Sequence, residues 1–416
     1  MTYPLEKPIP AAPDSAGAAA EAVQSTGGSV SLPAAEPGDS AVVRPYVNDR
    51  LNSRIGVSVP EGVWEVRWQA DLAPGLEPAF VLRAGNRILV QGRDLWQLFD
   101  RMGESVAVQR VAGSDVVLDP VNKLLYHAMP NGTLGAYQWA EERPAFTLML
   151  LFGAEFERVY FARRGPRMVV ASVEQRVDPH APEPTELALV EVQDLGDPPR
   201  ASDMKILTSA QLLASVQRKT NVLHAAMHDD TLVVATPGLV EFFDIDLQPV
   251  AHFEGRFTPR ALSLDEMGRV YLIVEAEDAS GETHPALWIL SANAEIQVEV
   301  AIPAHPAGVY AYSPPIVGYD HRVYVLLGNR VLALSPEGET LWTTATGEAI
   351  AGAVVTADGK LLVTAGGVLL SLDAGGERKG IFLVDGDRWT TPPVLTDRQR
   401  VLVASERHLY CLQLQP

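Results

Sequence analysis

The chain is 416 residues long, 47% hydrophobic and 20% charged, with a formal net charge of −19 at pH 7. That balance permits a large buried core, and it argues against nucleic acid and anionic membrane surfaces as partners, because both select a positive footprint. A single cysteine, Cys411, excludes an internal disulfide and favours a reducing compartment.

Residues 1–40 are rich in Ala, Pro, Gly and Ser, with no aromatic residue after Tyr3 and no apolar period; they read as a disordered tail. The start, MTYPLEKPIPAAPDS, has neither the basic n-region nor the apolar h-region of a secretory signal. No lipid-attachment cysteine is near it, and no apolar run approaches the length of a membrane span. The expectation is a cytoplasmic protein with no membrane partner. Residues 44–59 are transitional, with a candidate short strand at Ile55-Gly56-Val57.

Residues 62–72, GVWEVRWQADL, read as one strand without a neighbour in sequence. Trp64 and Trp68 lie four apart and share a face of it. Eight apolar runs follow, opening at Ile88, Leu124, Met168, Leu232, Val270, Val323, Leu361 and Val401, and each reads as the second strand of a unit. The steps between them are 36, 44, 64, 38, 53, 38 and 40 residues. The long steps carry insertions: 176–184 in the third unit, 209–218 before the fourth, and 278–285 in the fifth, with 303–310 after it. In 209–218, SAQLLASVQR, the spacing of Leu212, Leu213 and Val216 predicts a helix with Thr208 or Ser209 as its N-cap.

The clearest unit is 313–346. Turn signals at Tyr319-Asp320-His321, Gly328-Asn329 and Pro336-Glu337-Gly338 divide it into four short antiparallel strands. Shifted by 38 (361 − 323), Val323-Tyr324-Val325 falls on Leu361-Leu362-Val363 and Gly328 on Gly366. Shifted by 78 (401 − 323), Ser313-Pro314-Pro315-Ile316 falls on Thr391-Pro392-Pro393-Val394. A repeat of about forty residues with four strands is the period of a β-propeller blade. The expected fold is therefore all-β, an eight-bladed β-propeller over 41–416. The last unit stops after three strands, and RWQA within 62–72 resembles LWTTA, the fourth strand of the clear unit. Residues 63–71 are thus expected to complete the last blade and close the ring, leaving no open edge.

The unit RVYVLLGNRVLALSPEGETLWTTATG resembles the PQQ-type, or quinoprotein-type, propeller repeat. Ala333, Gly338 and Trp342 match its pattern, whereas Ser335 stands where Asp is usual. The next unit keeps Asp373 and Gly376 but has no Trp. The resemblance is good over the sixth to eighth units. It implies that Trp342, and by extension Trp68, docks on the neighbouring blade. The family holds quinone-dependent dehydrogenases and non-catalytic scaffolds, among them an outer-membrane assembly lipoprotein and cytoplasmic propellers. The dehydrogenases usually carry an adjacent cysteine pair, and this chain has only Cys411. The resemblance therefore implies the non-catalytic branch: a scaffold with protein partners, an ATPase-containing assembly being one such setting, and no cofactor.

Other chemistry is sparse. His224 and His228 share a face of a strand, where two imidazoles could converge on a metal, with Asp229 and Asp230 beside them; the bland alternative is polar residues lining a channel or a turn. Asp265-Glu266-Met267-Gly268, Asp358-Gly359 and Asp385-Gly386 read as turns, since none has the spaced acids of a calcium loop. No catalytic, cofactor or metal residue is assigned. The competing function is a small-ligand binder or dehydrogenase-like enzyme using the central channel.

Overall fold

Short runs of β-branched and aromatic residues, separated by turn residues, pair with their sequence neighbours as hairpins. The computed structural model shows the result as eight sheets, each of four antiparallel strands. It describes Ile55, residues 58–110 with short gaps, the strands of the next two blades, and residues 224–415 with short gaps. Residues 1–36 and 37–416 separate as two units, and every described residue belongs to the second. No helix among them is long and apolar enough to cross a membrane.

Seven blades are contiguous in sequence. Their first and last strands are Pro78–Ala84 and Ser105–Arg110 in blade 1, Val116–Asp119 and Arg143–Met149 in blade 2, and Phe156–Arg164 and Ala210–Arg218 in blade 3. Those of blade 4 are His224–His228 and Pro249–Glu254, and those of blade 5 are Phe257–Leu264 and Ile296–Ala301. Blade 6 runs from Ile316–Val317 to Thr340–Ala345, and blade 7 from Ile350–Val355 to Arg378–Leu383. All eight runs expected to be second strands are second strands.

Blade 8 takes three strands from the C-terminus, Val394–Asp397, Arg400–Ala404 and His408–Gln415, and its fourth from Val63–Asp71. Trp68 lies opposite Cys411 and Ala70 opposite Leu409, so the expected closure is in place. The segment before it adds a second hold. Ile55 donates its N–H to the carbonyl of Val355 at 3.0 Å. Ile55 and Val59 are buried beside Trp64, Val354 and Leu412, between blades 7 and 8. Lys360 and Asp358 pin the backbone of Val59 from the 1–2 turn of blade 7. Ile55 itself is not in a strand, and Gly56 and Val57 lie outside the described residues.

Facing blades share cores. Leu82 and Trp96 pack with Leu402 and Cys411 across blades 1 and 8, Phe242 with Leu262 and Trp288 across blades 4 and 5, Ile273 with Val325 across blades 5 and 6, and Tyr324 with Leu362's neighbour Val363 across blades 6 and 7. Both faces of each blade are apolar because both are covered.

One expectation is overturned. Residues 210–218 form the fourth strand of blade 3, antiparallel to Thr185–Val192, and not a helix. The pairing passes from Ala214 directly to Leu212, leaving Leu213 as the extra residue of a bulge. A bulge breaks strict alternation and imitates helical spacing, while a blade lacking its outer strand would leave the third strand's edge unpaired. The 176–184 insertion falls between the second and third strands of blade 3, outside the described residues. In blade 5 only 278–282 are turn; Thr283, His284 and Pro285 extend the third strand.

The 3–4 turns share one construction. Asp100, Asp244, Ser291, Ser335 and Asp373 open them, each accepting N–H groups from the residues two and four ahead. Ser335 replaces the usual Asp because a hydroxyl oxygen accepts the same two bonds, at 3.2 Å rather than the 2.8–2.9 Å seen at Asp373. The fourth residue is left-handed: Gly103, Leu247, Ala294, Gly338 and Gly376. What the preceding blade presents decides whether it is glycine. Trp68 lies over Gly103 and Trp342 over Gly376, where a β-carbon would come within 2.7 Å and 2.6 Å of the indoles. Trp342 also donates from Nε1 to the carbonyl of Ala374 at 2.9 Å. The docking implied for both tryptophans is thus observed. Where no such ring intrudes, Ala294 fills the space and is buried in the blade 4–5 core.

Gly376→Ala combines overpacking against Trp342 with a left-handed alanine, and is expected to cost about 2–4 kcal/mol. Ala294→Gly should stay within about 1 kcal/mol of the parent, since relief of the left-handed backbone offsets the lost methyl. Urea unfolding of both variants checks the contrast.

Candidate functional site

Each first strand turns one edge toward the axis. A proline there offers no N–H, which blunts an otherwise unpaired edge. Pro78 opens the first strand of blade 1, and Pro314 and Pro392 lie two residues before those of blades 6 and 8. With Phe80, Ile316 and Ala353 they line a well of about 310 Å³ on the axis. The carbonyls beside the prolines are taken: Ser263 donates to Pro315 O at 2.7 Å and Thr364 to Thr391 O at 2.8 Å. The well lies at the end of the ring that carries the 2–3 hairpins and the crossovers between blades.

A quinone with its calcium needs several oxygen ligands converging on one point. The described lining of the well offers the hydroxyls of Ser313 and Thr390 and otherwise apolar groups, with no carboxylate. Cys411 is buried in the third strand of blade 8 and cannot form a pair. These residues do not fit that cofactor.

His224 and His228 both lie on the first strand of blade 4, as expected from the repeat. Four residues along a strand separate them by about 13 Å, so they cannot share an ion. His228 Nε2 instead meets the carbonyl of Glu266 in blade 5 at 2.8 Å. Asp229 and Asp230 lie outside the described residues.

The turn reading of Asp265 to Gly268 is correct: Asp265 accepts the N–H groups of Met267 and Arg269 at 2.9 and 3.0 Å. It also gathers groups that sequence could not pair. Ligand atoms of Asp265, Glu266 and His321 lie within 4.8 Å of one another, His321 coming from blade 6. Arg269 stands among them, donating to Asp265 Oδ2 at 2.7 Å and lying 2.9 Å from His321 Nδ1. The guanidinium supplies the positive charge that a metal would bring, and Tyr271 adds a hydroxyl donor at 3.1 Å. Burial, then the Asp265 charge, pushes the Tyr271 phenol well above its usual range. The cluster is an inter-blade clamp. Arg322 repeats it one blade on, reaching Ala374 O in blade 7.

A serine, a histidine and an aspartate also meet at blade 8, but in the wrong order for nucleophilic catalysis. Asp387 is central: Ser405 Oγ donates to it at 2.6 Å, His408 Nδ1 lies at 2.9 Å, and Tyr410 donates at 3.2 Å. A general base would have to stand between the hydroxyl and the carboxylate. Here the carboxylate fastens the blade 7–8 crossover to the 2–3 turn of blade 8. Nothing in the spacing of residues 387, 405 and 408 signals this, because the crossover and the turn meet only in the folded ring. Six of the seven tryptophans are described, and Trp96, Trp288 and Trp389 pack edge-on against Tyr137, Phe253 and Tyr410 rather than forming a cage.

The 2–3 hairpin of blade 5 lies at the end where the well opens and, like that of blade 3, has long strands. The middle strands of blade 5 have eight residues each, against five in blades 6 and 7. They overshoot their neighbours by about 10 Å at the strand rise per residue. Their tip bears Glu277, Asp278 and Glu282, all exposed. The Ser280 hydroxyl and the Glu282 N–H hold the Asp278 carboxyl below its usual range, so the tip is anionic.

No family model matches the chain, and no curated protein does. Solved structures match it in fold. BamB from Moraxella catarrhalis has a TM-score of 0.56 at 12% identity, over 85% of this chain and 100% of its own. The quinohemoprotein alcohol dehydrogenase from Comamonas testosteroni has a TM-score of 0.61 at 12% identity, over 90% of this chain and 80% of its own. Sqt1 from Saccharomyces cerevisiae has a TM-score of 0.56 at 11% identity, over 88% and 100%. The chain therefore has the PQQ-like β-propeller fold; at these identities the likeness concerns fold alone.

Asp387 yields a pH prediction. Burial pushes its carboxyl up, but the bonds from Ser405, His408, the Arg388 N–H and Tyr410 outweigh this and hold it below its ordinary value. A depressed carboxylate contributes stability above its unfolded pKa of about 3.9 and loses it as pH falls through the folded value. Asp387→Asn should lower stability by about 1–3 kcal/mol at pH 7. The gap to the parent should close as pH falls through the folded value, which lies below the unfolded one. Thermal midpoints across that range measure it.

Proposed function

We propose that this propeller is a non-enzymatic platform that binds a protein partner through the end carrying the 2–3 hairpins. The projecting, acidic hairpin of blade 5 carries the reading. Beyond Ala276, which is still buried in the blade 4–5 core, residues 277–283 are exposed, and this tip can contact another molecule. Its charge suits a basic partner surface and would speed encounter at low ionic strength. The polar clusters are engaged in holding blades together and leave no assembled nucleophile, base or metal set among the described residues. The fold by itself is neutral between the two readings, since it occurs in alcohol dehydrogenases and also in BamB, Sqt1 and a computationally designed protein. A cytoplasmic setting belongs to this proposal. An ATPase-containing assembly rests on the repeat resemblance alone.

A photo-crosslinking residue at Glu282 in the native host should trap a discrete partner, whereas one at the exposed Leu341 on the outer strand of blade 6 should not. Reversing Glu277, Asp278 and Glu282 to lysine should abolish the product. Equal capture at both positions, or a shift of several degrees in melting temperature with quinone and calcium, would overturn the platform in favour of the channel.

A further inference from the structure

The well on the axis has a chemistry separate from that of the hairpin. Its wall is proline, alanine and aliphatic carbon with Phe80 on one side, and no described lining residue is charged. Its volume of about 310 Å³ is at the lower end of ligand pockets and far above a packing defect. Ala79 is exposed and Ser313 and Thr390 half-exposed, so the well is open at its mouth.

A peptide main chain finds little there. The prolines lack N–H groups, and the carbonyls of Pro315 and Thr391 already accept bonds. Strand addition is therefore disfavoured beside the prolines of blades 1, 6 and 8, and a side chain projecting through the open mouth suits the well better. The polar groups at the wall narrow its kind. Thr390 Oγ1 is occupied, donating to Ala404 O at 3.3 Å. Ser313 Oγ has no hydrogen-bond partner among the described residues. A flat ring that covers proline and phenylalanine carbon and carries one hydrogen-bonding atom satisfies both the wall and the hydroxyl.

We propose that the well receives one tyrosine or tryptophan side chain of the protein partner, with its polar atom on Ser313 Oγ. The inference rests on the platform reading and adds the anchor residue to it. Such buried aromatic anchors dominate the energetics of many interfaces.

The test titrates the purified full chain with N-acetyl-tyrosinamide, N-acetyl-tryptophanamide, N-acetyl-phenylalaninamide, N-acetyl-lysinamide and free p-cresol, read by ligand-observed NMR. The tyrosine or tryptophan amide should saturate, the phenylalanine amide should bind about fivefold more weakly, the worth of one hydrogen bond, and the lysine amide should not bind. Ser313→Ala should erase the fivefold difference without changing the melting temperature. Ala79→Trp places an indole at the mouth and should abolish binding; should it fail to fold, the Ser313→Ala comparison decides alone. No saturation by either amide, equal binding of the lysine amide, or p-cresol binding tenfold tighter than its amide would overturn the proposal, the last by making a free small molecule the occupant. Crosslinking at Glu282 without amide binding sinks this inference and spares the platform. Amide binding without crosslinking overturns the platform, and with it the protein partner that this inference assigns to the well.

Discussion

Two apolar faces per blade are the constraint on which this molecule depends. A single sheet with both faces apolar has no stable solvated form, so every blade must be sandwiched between two others. A row of such sheets would leave two bare ends, and a ring leaves none. The cores shared by blades 7 and 8 and by blades 8 and 1 show the seam packed like any other junction. Because the first and last described strands pair in the same blade, closure rests on the ladder between Val63–Asp71 and His408–Gln415. Ile55 and Val59 add a second hold from the axis outward.

Blade-to-blade fit is then set at the outer rim by a small device used several times. A turn opened by Asp or Ser places its fourth residue under the outer strand of the preceding blade. Trp68 and Trp342 demand glycine beneath them, Val300 does likewise at Gly338, and elsewhere Ala294 or Leu247 occupies the position despite its left-handed backbone, with φ of 64° and 60°. At the junction of blades 4 and 5, where the facing strand carries no indole, the Ala294 methyl packs into the shared core.

Charged residues follow the same logic nearer the axis. Arg269, Arg322 and Lys360 each reach from one element to its neighbour, and Asp265 and Asp387 are buried only because several donors surround them. These groups resemble ligand sets when read as residue types, but their hydrogen-bonding capacity is spent within the ring. What remains uncommitted is a projecting acidic hairpin and an apolar well at one end, features suited to contact rather than to bond making.

The sequence by itself determined the repeat, the eight second strands, the four-stranded blades and the use of 63–71 to complete the last one. All of these depend on local alternation, turn residues and fixed spacing, which a linear reading measures directly. It also foresaw the docking of Trp342 and Trp68 through the repeat's pattern. It misread 210–218, because a bulge at Leu213 mimics helical spacing, and of the two roles it left open for His224 and His228 the shared ion is ruled out by strand rise. Only the tertiary structure brought Asp265 to His321, Asp387 to Ser405 and His408, and Pro78 to Pro314 and Pro392. The first and last of those meetings join residues from different blades and the second joins a crossover to a turn, and blade-to-blade geometry is fixed by ring closure, a property of the whole circle that no single repeat contains.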